Sequence, residues 1–197
     1  MELSRVRLAI VAALLISIIS LGVAPMILPE GYSVLEHTTS EAAAQGTEGA
    51  WLARTGFLFL GIAVFCLAVA KRSWPTSARV LHSSFGLFMI AAGVYSHRPY
   101  LEGVSYDQME DLLHSVAATA MGFGFAAGVL VVGWRRIPRW RITDALALIA
   151  ALAIPMTMSF TSGFDGLLQR GMFLVAYLWY GLELSDTRLR TSFDTIG

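Results

Sequence analysis

Apolar residues fall along the chain in six runs of membrane length, at about 6–28, 50–70, 78–96, 111–133, 142–160 and 166–184, with polar turns between them. About 20 apolar residues cross the ~30 Å hydrocarbon layer of a bilayer. Backbone groups in lipid must pair inside their own segment, so each run is expected to be a helix. None shows the apolar/polar alternation over about ten residues that a membrane β-strand requires. The pattern predicts an all-α membrane protein with six transmembrane helices in one bundle, residues 1–197 forming a single domain.

Between the runs the punctuation is specific. Arg5 and Arg7 precede the first run in the manner of a secretory signal, but the run exceeds a typical 7–15-residue signal core. Pro25 directly follows Val23-Ala24, where cleavage would fall, so a retained helix is expected. In the first loop, Thr38 and Glu41 have capping-box spacing and Gly46 supplies a stop, which predicts one or two helical turns lying on the outer membrane surface. Thr47 is placed to cap the second span. Pro75 and Pro138 sit in basic turns between antiparallel neighbours, while Pro155 should kink the fifth span, with Thr157, Ser159 or a neighbour serving the freed carbonyl. Gly124 and Gly128 form a GxxxG face, read as helix packing within the chain.

Composition agrees with lipid as the solvent: 56% of residues are hydrophobic and 14% charged, with a mean hydropathy of +0.64, against about a quarter charged in soluble domains. Zero net charge excludes a basic nucleic-acid binder and leaves membrane lipids as the expected partners. A lone Cys66 forms no internal disulfide and no Cys-based zinc cluster. Resolved by loop, charge is far from neutral. Eleven of the fourteen Lys and Arg lie at the N-terminus, the second-to-third and fourth-to-fifth turns and the tail (Arg188, Arg190), whereas Arg54, Arg98 and Arg170 are alone on the other side among nine acids. Short cytoplasmic loops retain positive charge during insertion, so both termini are expected to be cytoplasmic in a multi-pass plasma (inner) membrane protein. Trp134, Trp140, Trp179 and Tyr180 are expected at the membrane interfaces.

Ionisable groups in or beside a span are costly in lipid and mark candidate sites. The outer side holds Asp107, Glu110, Asp111 and His114 at the mouth of the fourth span, with His97 and Arg98 closing the third. Glu36, His37, Ser40 and Glu41 occupy the first loop, and Arg54, Gln169 and Arg170 lie about one turn inside the second and sixth spans. Three uses fit. His114, Asp111, His37 and His97 would hold Zn²⁺ with an open position, as in a metal-dependent lipid hydrolase. Arg54, Arg170 and a His would clasp a phosphate or carboxylate headgroup. In the third, the two arginines are simply neutralised by Asp111, Glu110 or Glu41, and the protein is structural or accessory. No HxxxH or HExxH pair and no lipid-phosphatase pattern is present. A second set, His82, Arg79, Asp144 and Glu183, gathers at the inner ends of spans three, five and six as helix-end pairs, too far from His114 to share an iron with it.

Thr39-Ser40-Glu41, Gly46, Trp51, Gly56-Phe57, Gly61, Asp111, His114, Gly166-Leu167-Leu168-Gln169-Arg170 and Trp179 together resemble the bacterial and archaeal membrane family known as domain of unknown function 998. The resemblance implies a compact six-helix membrane protein without an assigned activity. Family members carry Phe-Pro-x-Asp after the third span, where this chain has Tyr95-Ser96-His97-Arg98-Pro99. Ser40, Glu41, Asp111, His114, Gln169 and Arg170, which carry the likeness, are also the outer polar set. A more distant similarity is to the membrane hydrolases that include alkaline ceramidases, whose seven spans and late HxxxH pair are missing here.

Overall fold

The computed structural model describes residues 2–186 except 102 and 138, so Arg188, Arg190, Glu102 and Pro138 lie outside the described residues. Its elements are α1 (Glu2–Val23), a 3-10 turn (Ala24–Met26), α2 (Thr39–Ala42), α3 (Ala50–Ala70), α4 (Thr76–Val94), α5 (Gln108–Trp134), α6 (Ile142–Met158) and α7 (Asp165–Ser185). Four helices are long and apolar enough to cross a membrane: the first, within Arg5–Met26, and α3, α4 and α5. At 1.5 Å per residue, the 21 residues of α3 span about 31 Å. The six-span expectation is met only to that extent. Helix α6 is apolar but has 17 residues, and α7 carries Asp165, Arg170 and Glu183 within its 21.

Helix α3 packs against α1 and α4, α4 against α5, and α6 joins α5 to α7. Ser17 ties α1 to both α3 and α7, donating to the Gly56 carbonyl at 2.6 Å and meeting the Tyr177 hydroxyl at 2.5 Å. Small residues let the backbones meet. A Cβ on Gly61 would stand 2.6 Å from the Gly86 carbonyl oxygen, and one on Gly86 would stand 2.7 Å from that of Gly61. Gly124 and Gly128 face Leu81 and the His82 ring of α4, so the GxxxG face is used within the chain.

Several local expectations are corrected. The capping box of α2 forms as read, with Thr38 and Glu41 exchanging bonds, but the helix does not lie on a surface: Thr39, Ala42, Ala43 and Ala44 are buried. It plugs one end of the helix stack, touching α3 and α7. Thr47 does not cap α3. Gly49 takes that position at φ 80°, pressed against the Ile27 carbonyl, while the Thr47 hydroxyl bonds to Gln45. Thr157 and Ser159 back-bond to Ala153 and Pro155 rather than to the carbonyl four residues before Pro155. Trp134 and Trp140 are exposed as expected, whereas Trp179 and Tyr180 are wholly buried in an aromatic core with Trp74, His82 and Phe125.

Candidate functional site

At the α2 end the first loop is held by the two arginines, and neither guanidinium is aimed at a carboxylate. Arg54 donates from Nε to the Ala43 carbonyl and from Nη2 to that of Ala44, both at 3.0 Å. Arg170 Nη1 donates to the carbonyls of Val34, His37 and Gly166 at 2.8–2.9 Å, and Nη2 to the Tyr32 hydroxyl at 2.5 Å. Burial raises the Tyr32 phenol above its ordinary value, against the opposing pull of Arg170. The first backbone N–H groups of α7 join in, Gly166 and Leu167 donating to Glu36 and Leu35. Gly166 must lack a Cβ because one would lie 2.5 Å from the Val34 oxygen. The Gly166–Arg170 motif is therefore a receptor for the loop, with Arg170 Nη1 given to carbonyls and Nη2 to the Tyr32 hydroxyl. The Arg–carboxylate pairing read from the sequence gives way to this arrangement.

The carboxylates are likewise committed to backbone. Glu41 accepts from Thr38, Asp107 caps α5, Glu110 accepts from Ser96 N–H and Asp111 from Arg98 N–H, each at 2.8 Å. Gln45, which the sequence reading passed over, stitches the 96–107 loop to the plug through His97, Ser96 and Asp107. The metal set is not assembled. His97 lies 3.9 Å from Asp111 and its ring is 5.3 Å from that of His114, but His37 sits apart with Tyr32 and Tyr100. Among the described residues no group of three or more His, Cys, Asp or Glu could hold a metal ion.

What the fold does bring together is Ser40, His114 and Gln169. Buried His114 points Nδ1 at the carbonyls of Ala92 and Tyr95, 3.0 and 2.9 Å away. Two acceptors there place the ring proton on Nδ1, so Nε2 is an acceptor. The Ser40 hydroxyl, 3.0 Å away, donates to it. Next to Ser40, Thr39 donates from its N–H and hydroxyl to Gln169 Oε1 at 2.7 and 2.5 Å. That fixes the orientation of the amide, and Gln169 is among the residues that line a cleft. The cleft, about 420 Å³, lies between α4, α5, α6 and α7 and is walled by residues such as Met89, Ala118, Gly122, Pro155 and Met172. Phe123 and Leu152 on its rim are exposed. No motif announced it, because its walls are ordinary apolar residues whose relation is tertiary.

The opposite end holds a buried ionic network. Arg136 bonds both oxygens of Asp144 at 2.9 and 3.1 Å and Glu183 Oε1 at 2.5 Å. Glu183 is also reached by Lys71, Arg141 and the Trp74 indole, and Asp144 by the Trp179 indole. Burial lowers the Lys71 ammonium below its usual range although Glu183 opposes it, whereas for Arg136 the two carboxylates outweigh burial. Asp144 and Glu183 were legible as a set. Their basic partners were not, and Arg79 instead bonds the last carbonyls of α3; His82 makes the hydrogen bond expected of it, to Tyr180, and packs on Trp74 and Trp179 beside the network.

Apolar helices stacked in this order, with polar groups collected at the two ends, define a multi-pass membrane protein. Residues 9–184 match the family described as protein of unknown function (DUF998), and the chain belongs to that family. Comparison with the curated proteins and with the solved structures returns no match.

Proposed function

We propose that this is a six-span, single-domain lipid-binding protein of the plasma membrane, with the α2 end outside and both termini cytoplasmic. In this reading the α4–α7 cleft holds an acyl chain of a membrane lipid, whose polar end meets Ser40, His114 and Gln169. The observation that carries it is the cleft itself. An apolar recess within the bilayer depth has lipid as its solvent, its volume falls in the roughly 300–1,000 Å³ range of small-ligand sites, and its wall includes one oriented polar group, Gln169. His37 stands away from His97, Asp111 and His114, so these four do not form a zinc site. Arg54 and Arg170 hold the roof of the site rather than the ligand.

Gly122 provides the test because it lines the cleft and a Cβ there meets nothing within 4 Å, so Gly122→Trp places an indole at the cleft wall with its first carbon unobstructed. Native mass spectrometry of protein purified with its endogenous phospholipid should show a retained diacyl lipid in the wild type and at least a fivefold smaller bound fraction in Gly122→Trp. Equal retention in the two proteins would refute the reading.

A further inference from the structure

We propose that Ser40 is a nucleophile and His114 its general base, and that the site transfers the acyl group of a lipid carboxylic ester. The proposal deepens the lipid reading of the cleft and rests on it for the substrate class. Three observations support it. Ser40 Oγ and His114 Nε2 are 3.0 Å apart, within the reach required of a nucleophile and its base. The imidazole is held in the acceptor tautomer by the Ala92 and Tyr95 carbonyls, the orienting part that a carboxylate plays in other Ser–His sites. Finally, His114 is fully buried while Ser40 is only half-buried, which shields the base and leaves the hydroxyl approachable.

The cleft supplies the geometry for an ester. Ala118, at its wall, is one helical turn below His114 on α5, a rise of about 6 Å. Gln169 lines the cleft and also bonds Thr39, next to Ser40, so in the proposed pose an acyl chain in the cleft carries its carbonyl toward the Thr39–Ser40 segment. Gln169 Oε1 is engaged by Thr39, so its Nε2 protons are directed to the carbonyl oxygen, where a donor gains most as negative charge develops. Ser40 Oγ attacks the carbonyl carbon and its proton passes to His114 Nε2. The ester C–O bond then breaks, and the departing alkoxide takes that proton. Water, or the hydroxyl of an acceptor lipid, attacks the acyl-Ser40 ester in the same way and returns the proton to Ser40.

A purely structural Ser40–His114 contact is the competing account, and Gln separates the two. In His114→Gln the side chain can still donate to the carbonyls and accept from Ser40, but it cannot take up a proton. Full-length protein in detergent is treated with a small alkyl fluorophosphonate, and the adduct is mapped by peptide mass spectrometry. The expected result is one adduct on Ser40, none in Ser40→Ala, and a labelling rate about 100-fold lower in His114→Gln, in line with the 10²–10⁴-fold worth of a general base. Ser40→Cys in a Cys66→Ser background keeps the side-chain shape, and iodoacetamide should alkylate its thiol more slowly once His114→Gln is added. An intact wild type that gives no Ser40 adduct, or equal labelling rates with and without His114→Gln, overturns the proposal. Retained lipid without an adduct overturns the nucleophile alone; an adduct with lipid retention unchanged in Gly122→Trp overturns the cleft as the acyl site.

Discussion

Glu183 shows how context sets the role of one residue. It is 1% exposed at the end of α7 yet ionic, and its cost in a low-dielectric site is met by Lys71, Arg136, Arg141 and the Trp74 indole together. Deleting one member of a buried ion group typically costs 3–5 kcal/mol because the others are left uncompensated. Glu183→Gln should therefore lower the thermal midpoint in detergent far more than Lys71→Met, after which Glu183 keeps two arginines. Comparable midpoints for the two variants would show that the network is not organised around Glu183. Arg54 and Arg170 teach the complementary lesson. Read singly, an arginine beside a span suggests an anion. Placed next to a loop without regular structure, it meets carbonyls that need donors, and a buried carbonyl without one is costly enough to claim the guanidinium first.

Among elements, the α3–α4 pair is the tightest joint, since Gly61 and Gly86 each present bare backbone to the other. Helices in lipid gain nothing from hiding apolar surface and depend on close approach. Gly86→Leu forces the pair apart. A loss of about 1–3 kcal/mol, the usual range for overpacking, is expected from unfolding of the purified protein in detergent, and Gly122→Leu, facing open space, should cost much less. Helix α2 is the other instructive element. Its capping box was readable from Thr38 and Glu41 because the signal is local. Its burial was not, because the groups that hold it and its loop, the Arg54 and Arg170 guanidinium donors and the Gln169 amide acceptor, are supplied by α3 and α7, the last two at least 130 residues away.

At the scale of the molecule, charge and hydropathy predict how the bundle sits in the bilayer. With the α2 end outside, Glu48→Cys in a Cys66→Ser background should react with a membrane-impermeant maleimide in intact cells, and Arg139→Cys only after lysis. The reverse pattern would invert the topology, and labelling of both in intact cells would break the span count among α3, α4 and α5, the three helices between the two positions. Helix number and limits were legible because they follow from runs of apolar residues along one dimension. The polar set at the α2 end was legible as a list, for the cost of charge in lipid singles out each member. What each does there was not.

The sequence by itself determined the helical architecture, the segregation of charge between the two ends and the family. Each depends on residue type and spacing along the chain, to which a bilayer responds directly. Tertiary structure alone decided that Arg54 and Arg170 bind backbone, that His37 stands apart from His97 and His114, that Ser40 meets His114, and that an apolar cleft lies below them. Those outcomes depend on distances between helices remote in sequence, and hydrogen bonds and cavities are set by distance.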